Sequence, residues 1–308
     1  MALRHVGYIE LPAHAKAGGF DHAAVHHRTE RVYVAHTAND SVDIIDTATY
    51  RHVESIGSLT GVAGALVSDD HDLVFTSNRG ENSVGIVSLT KAMSVTKVGV
   101  GVGPNGLAYD HGRRRLLAAN VGNPTIPDSF TASLVDVTRQ ALIADVPVPG
   151  RTRWTVFDAE ADVFHVNIAD PSQIVVVDAR DPAGHQRIVP IPSIGPHGLD
   201  LDVVTRRLFC ACDGKQLFEV HADSGEIMRR AEITGVPDVI FFNAALGHLY
   251  VAIGEPGLIE VFDTETLRRR ETVSTENGAH TLAFDGASNI VCAFLPATHR
   301  AAVYVDRD

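Results

Sequence analysis

Three histidines and one aspartate recur at a nearly constant spacing, each at the start of a stretch rich in apolar residues. They are His22, His197, Asp238 and His280. If a fold brings them together, three imidazoles and a carboxylate suit a divalent transition metal such as Zn, Ni, Co, Mn or Fe. A water on a metal with an open ligand position can attack a carbonyl group. Without a metal, Asp238 could orient a histidine that takes up or releases a proton near neutral pH.

These four residues belong to a repeat that runs through the chain. The equivalent positions are 22, 64, 105, 153, 197, 238 and 280, separated by 42, 41, 48, 44, 41 and 42 residues. Five residues after six of these seven positions stands an Asp or Asn, which suits a tight turn between strands. Each unit contains three or four short β-rich runs between polar turns, such as residues 32–35 and 42–45 in the first.

A period of about 40 to 45 residues with four strands per unit is typical of a propeller blade. We therefore predict an all-β, seven-bladed β-propeller of four-stranded antiparallel blades in a single domain, residues 1–308. An N-terminal strand at residues 6–11 should complete the last unit and close the ring, which removes exposed sheet edges. The expected blades are 20–60, 62–101, 103–149, 151–193, 195–234, 236–275, and 278–308 together with 4–11.

The innermost strand of a propeller blade lines the axial channel, so the seven equivalent positions should ring one mouth of that channel. Blades five, six, seven and one are neighbours around a closed ring. The expected metal ligands His197, Asp238, His280 and His22 would then form one contiguous arc.

Further polar residues fall close to this ring. Arg153 of blade four should lie opposite the arc, where it could bind a substrate carboxylate through its bidentate fork, or could form a salt bridge with Asp238 or Glu255. Asn105 could position a polar substrate, so the candidate catalytic residues are Asp238, His22, Arg153 and Asn105. The ends of the second strands, among them His36 and Cys212, should form a second, slightly wider ring beside the first. The second set of candidates near the same mouth consists of His36, Glu255, Cys212, His299 and Trp154. The third unit also carries an insertion, residues 121–131, expected to overhang the mouth as an ordered flap.

Composition excludes several function classes. The net charge of −12 argues against nucleic acid and against anionic membrane surfaces. The glycines of residues 99–106 precede a strand rather than a helix, so they do not predict a phosphate loop or a nucleotide cofactor. Three cysteines are not a disulfide framework, and residues 1–12 do not resemble a signal peptide. We therefore expect a cytoplasmic protein.

Residues 32–35 with 41–47, and residues 249–252 with 259–264, resemble the YVTN repeat of YncE-type propellers. The resemblance extends over essentially the whole chain and implies the seven-bladed fold. It does not define a function, because that family contains enzymes, binding proteins and proteins of no known role.

Two functional hypotheses follow. The first is an enzyme that acts on a small polar, possibly anionic, metabolite at the axial mouth. Its chemistry would be hydrolysis, lactone opening or lyase-type proton abstraction, either metal-assisted or by His/Asp acid–base catalysis. The alternative is a non-catalytic propeller that binds a ligand or a protein partner over one face.

Overall fold

Seven four-stranded antiparallel sheets form the protein in a computed structural model that describes residues 2–90 and 93–307. The chain opens with β1 (Leu3–Glu10). Blade 1 contains β2 (Phe20–His26), β3 (Arg31–His36), β4 (Ser41–Asp46) and β5 (Arg51–Ile56), with short 3-10 turns at His27–Thr29 and Thr37–Asn39. Blade 2 contains β6 (Val62–Ser68), β7 (Leu73–Asn78), β8 (Ser83–Ser88) and β9 (Val95–Gly99). Blade 3 contains β10 (Pro104–Asp110), β11 (Arg115–Asn120), β12 (Thr131–Asp136) and β13 (Ala141–Pro147).

The remaining blades repeat this meander. Blade 4 contains β14 (Thr152–Asp158), β15 (Val163–Ile168), β16 (Gln173–Asp178) and β17 (Arg187–Pro190). Blade 5 contains β18 (Pro196–Asp202), β19 (Arg207–Cys212), β20 (Gln216–His221) and β21 (Ile227–Glu232). Blade 6 contains β22 (Pro237–Asn243), β23 (His248–Ile253), β24 (Leu258–Asp263) and β25 (Arg268–Ser274). Blade 7 contains β26 (Thr281–Asp285), β27 (Ile290–Leu295) and β28 (Arg300–Asp306).

The N-terminal strand closes the ring. β1 pairs antiparallel with β28, from Leu3 opposite Asp306 to Glu10 opposite Arg300, and so forms the fourth strand of blade 7. The predicted seven-bladed all-β fold and its N-terminal closure are confirmed, although the closing strand begins three residues before the predicted residues 6–11. No helix in the described ranges is long and apolar enough to cross a bilayer.

The core is divided into hydrophobic clusters that lie between neighbouring blades. Tyr33 and Ile44 of blade 1 pack with Val74 and Val87 of blade 2, for example. Another cluster spans the closure and joins residues of β1 and blade 7 to residues of blade 1. Each fully buried large apolar side chain contributes about 1.5–3 kcal/mol through the hydrophobic effect. Burial of all these interfaces makes the blades mutually dependent, which fixes the mouth geometry.

β-Bulges interrupt the ladder between the first two strands of blades 1–6 near the channel mouth. In blade 5, Pro196 pairs with Cys212 and Gly198 pairs with Ala211, so His197 has no partner in the ladder. Bulges re-aim side chains and are common beside functional sites. These bulges are the local reason that the repeated polar residues leave the sheets and project into the mouth.

Candidate active site at the channel mouth

The mouth ring consists of the second residues of the inner strands in blades 1–6, together with His280, which directly precedes β26. The inner strands of blades 1–6 all have seven residues, so these positions are structurally equivalent. The mouth ring in blade order is Asp21, Ala63, Asn105, Arg153, His197, Asp238 and His280.

The sequence alignment was therefore wrong by one residue in blades 1 and 2. It placed His22 and Gly64 in the ring, where the structure has Asp21 and Ala63. The error came from aligning the units on the Asp or Asn that follows each repeat position by five residues. In blade 2 the inner strand ends at Ser68, and this residue, Asp69, lies beyond the strand in the turn. The ring thus contains two imidazoles and two carboxylates rather than three imidazoles and one carboxylate.

His197 lies between two carboxylates. Its Nδ1 donates to Asp213 Oδ1 at 2.7 Å, and its Nε2 lies 3.2 Å from Asp238 Oδ1. Burial opposes protonation of the ring, but the negative charges of Asp238 and Asp213 outweigh it and raise the pKa of His197 to about 9. His197 is therefore an imidazolium at neutral pH. Burial by itself would raise the pKa of Asp238, but the neighbouring His197, followed by His280 and His22, lowers it well below the usual range.

His280 is the most exposed imidazole of the mouth ring. Its Nε2 lies 3.7 Å from Asp238 Oδ2, and 37% of its side-chain surface is accessible. Together with Asp238 and His197 it lines an open pocket of about 460 Å³, whose rim also carries Lys215 and Glu255. The placement of Glu255 at this mouth agrees with the sequence-based expectation.

His22 lies one residue deeper along the strand than the mouth ring. Its ring packs on Trp154, with centroids 4.1 Å apart, in an apolar part of the channel that also contains Phe241 and Phe284. Burial lowers the pKa of His22, although Asp21, with an oxygen 3.3 Å from Nε2, acts in the opposite direction. Trp154 therefore both packs in the core and walls the channel, and burial beneath the arc disfavours the protonated form of His22.

Arg153 does not lie opposite the arc, as the sequence suggested, but directly beside it. Its Nη1 lies 3.2 Å from His197 Nε2 and its Nη2 donates to Asp213 Oδ2 at 3.4 Å. Because His197 is protonated, Arg153 and His197 are like charges that share Asp213. The alternative partners Asp238 and Glu255 are not those that Arg153 contacts.

The ends of the second strands do not form a second ring of accessible side chains. His36 and Cys212, like the equivalent residues of every other blade, are almost completely buried. His36 Nδ1 donates to the buried Asp43 at 2.7 Å, and Cys212 Sγ lies 3.9 Å from Cys210 Sγ. Neither reaches the mouth, because the side chains at these strand ends point into the blade interior.

The sequence analysis missed two charged residues of the mouth because it took the last residue of each second strand as the one that faces the channel. Arg79 and Asp213 each come one residue after the end of a second strand, where strand alternation turns the side chain to the opposite side. Moving the expected second ring forward by one residue would have found both.

His299 and the blade 3 insertion occupy the same side of the propeller without joining the arc. The ring of His299 packs against His14, with centroids 4.3 Å apart. In the insertion, Ser129 Oγ accepts from the amide of Asn123 at 2.9 Å and donates to its carbonyl oxygen at 2.7 Å. These hydrogen bonds close the loop into the ordered flap that its sequence predicts.

The arc as it stands does not fit a metal ion. Both ring nitrogens of His197 face carboxylates, and its raised pKa means that a metal would have to displace a strongly held proton. Within residues 2–90 and 93–307, no group of three or more His, Cys, Asp or Glu side chains has an arrangement suited to a metal. Metal binding by His22, His197, His280 and Asp238 stays a prediction for metal analysis.

Comparisons with known proteins support the architecture. No protein-family model matches the chain, so the similarity to YncE-type propellers rests on the repeat residues alone. No curated protein matches it either. Among solved structures, the chain is similar to a hydrazine synthase chain from Kuenenia stuttgartiensis, with a TM-score of 0.81 and 12% identity over 96% of this chain and 98% of that chain. At this identity the similarity shows that the chain has the β-propeller fold.

Proposed function

We propose that the channel mouth is the active site of an enzyme that performs acid–base chemistry on a small polar metabolite, with His280 as the proton-transferring group. The observation that carries the proposal is the position of Asp238. One of its oxygens is 3.2 Å from the His197 imidazolium, and the other is 3.7 Å from His280 at an open pocket.

The division of roles follows from the charges. His197 keeps Asp238 ionised, so Asp238 can hold a proton on Nε2 of His280 and stabilise the imidazolium that forms when His280 takes up a second proton. Apo distances between catalytic groups are often long, so 3.7 Å is compatible with this role. Gly254 has no side chain to cover Nδ1 of His280: a Cβ there would lie 3.7 Å from that nitrogen. Nδ1 is therefore the atom available to substrate.

The same site can stabilise negative charge that develops on a substrate oxygen. The His197 imidazolium and the Arg153 guanidinium stand side by side, and His197 contacts Asp238. Fixed cations beside a developing oxyanion are a major source of catalytic power. Proton removal by His280 and charge stabilisation by the two cations suit hydrolysis, lactone opening and lyase-type proton abstraction.

The test is a screen of lactones, esters and hydroxy acids in D₂O, followed by proton NMR. This readout detects both product formation and the exchange of an abstracted proton. Wild-type protein should turn over or exchange at least one compound class, the His280→Ala variant should not, and a His299→Ala control should behave as wild type. Equal rates in wild type and His280→Ala would overturn the proposal. Saturable binding at the pocket without turnover or exchange would support the non-catalytic binding alternative instead.

A further inference from the structure

Three arginines from blades 2 and 4 converge on the mouth beside Asn105 of blade 3. Arg79 donates from Nη2 to Asn105 Oδ1, and its stem lies against Gly103 at the entry to the same blade. Arg151 and Arg153 enter from the start of blade 4. Burial, and then the positive charges of Arg153 and Arg79, lower the pKa of Arg151. The three guanidinium groups are thus close enough to repel one another.

The carboxylates of the mouth only partly compensate for this positive charge. Asp21 lies 3.7 Å from Arg79, and Asp213 lies 3.4 Å from Arg153 while also accepting from His197. The exposed side chain of Arg151 makes no hydrogen bond or ion pair within residues 2–90 and 93–307, so its donors are open to an incoming anion. The Nε of Arg153 is buried and likewise has no hydrogen-bond partner in those ranges. A buried donor without an acceptor is costly, and an oxyanion beside Arg153 and Arg151 would supply acceptors for their guanidinium groups.

We infer that this arginine cluster (Arg79, Arg151 and Arg153) binds an oxyanion, a carboxylate or phosphate group, and that Asn105 adds a neutral donor. Oδ1 of Asn105 accepts from Arg79, which leaves its Nδ2 free to donate to a ligand. The inference deepens the proposed function and rests on it, because it names the substrate class: a small metabolite with an anionic group at one end.

The location relative to the acid–base residues supports this assignment. Arg153 contacts His197, His197 contacts Asp238, and Asp238 faces His280. An oxyanion held by the arginine cluster therefore leaves the rest of a small molecule to extend toward the pocket at His280. The chain as a whole has a net charge of −12, which repels anions. A local group of positive charges at the mouth therefore directs an anion to that place.

The experiment measures binding alone, so it does not depend on turnover. The full chain is titrated with inorganic phosphate and, separately, with malonate by calorimetry at low ionic strength. The test variant is Arg79→Gln/Arg151→Gln, in which both replaced residues are exposed. The control is Arg139→Gln, which removes a positive charge at a turn where 84% of the side chain is exposed.

Wild type should bind one of the two anions saturably, and the tighter one identifies the anionic group as phosphate or carboxylate. The double variant should lose about tenfold or more in affinity, because it loses charge-assisted hydrogen bonds to the anion. Arg139→Gln and His280→Ala should bind as wild type does. Loss of turnover in His280→Ala with intact anion binding separates the two proposals. The inference is overturned if neither anion binds wild type saturably, or if the folded double variant binds as wild type does.

Discussion

Two groups of histidines lie on the mouth side of the propeller, and they differ in the charges beside them and in their access to solvent. The arc (His197, Asp238 and His280) includes an imidazole between two carboxylates and lines an open pocket. The histidine stack (His14, His36 and His299) consists of rings with centroids 4.3 and 4.9 Å from His14. Burial, then His36 and His299, lowers the pKa of His14, whereas the arc raises the pKa of His197 to about 9.

The comparison teaches that clustered histidines acquire chemical roles from the charges and space around them. In the histidine stack, Nε2 of His14, Nε2 of His36 and Nδ1 of His299 are buried without hydrogen-bond partners in the described residues. The buried carboxylate of Asp43 accepts from His36 within the stack, and its other oxygen accepts from the Ser41 and Ser55 hydroxyl groups. The surroundings of the stack lower the pKa of His14, while the arc holds charge at an accessible surface.

The largest expected effect is that of Asp238→Asn. Removing this charge should lower the pKa of His197 by about 1–3 units, as expected for loss of a close opposite charge. Turnover should fall by about 100-fold because His280 loses the carboxylate that stabilises its protonated form. Histidine-selective NMR titration and the turnover assay measure the two effects.

Asp213→Asn is the matched control for Asp238→Asn. It should also lower the pKa of His197, but it leaves the carboxylate beside His280 in place, so turnover should fall much less. If the two variants were equally inactive, His197 rather than His280 would be the proton-transferring group.

The two groups should have opposite effects on stability as the pH changes. The folded-state pKa of His197 is above its ordinary value of 6.5, so its contribution is complete below 6.5 and is lost as the pH rises through about 9. The folded-state pKa of His14 lies below 6.5, so its contribution is complete above 6.5 and is lost as the pH falls.

Urea unfolding on both sides of pH 6.5 tests these signs. His197→Gln should flatten the alkaline side of the stability profile relative to wild type, and His14→Gln should flatten the acid side. The contrast between the two groups would be refuted if both variants changed the same side.

A smaller effect is expected for Cys212→Ala. Cys212 is fully buried in blade 5 and is away from the mouth, so the variant should lose about 1 kcal/mol of unfolding free energy through poorer packing. Anion affinity should be unchanged in calorimetry. A large loss of affinity would show that Cys212 reaches the ligand after all.

The smallest difference is expected in metal content. Because His197 holds a proton between two carboxylates, untagged wild type and His197→Ala/His280→Ala should both contain little metal by elemental mass spectrometry. Near-stoichiometric metal in wild type that is lost in the double variant would establish the metal-assisted form of the reaction instead.

The fold could be predicted because it depends on a repeated local pattern. Seven units with polar turns at a spacing near 42 residues define blades, and an unpaired N-terminal strand must close the ring. The membership of His197, Asp238, His280, Arg153 and Asn105 in the mouth ring followed from that repeat. The same repeat misplaced His22, because the turn residues used to align the units do not keep one fixed distance from the strand. A shift of one residue turns a side chain to the other face.

The sequence by itself determined the number of blades, their order and the mouth residues of blades 3–7, because a repeating alternation of apolar and polar residues has few solutions. Only the tertiary structure decided the contacts between blades: Arg153 on His197, His197 between Asp213 and Asp238, and Arg79 on Asn105. These contacts depend on bulges and on turns one residue beyond a strand, where side-chain direction is set by backbone geometry and inter-blade packing rather than by local pattern.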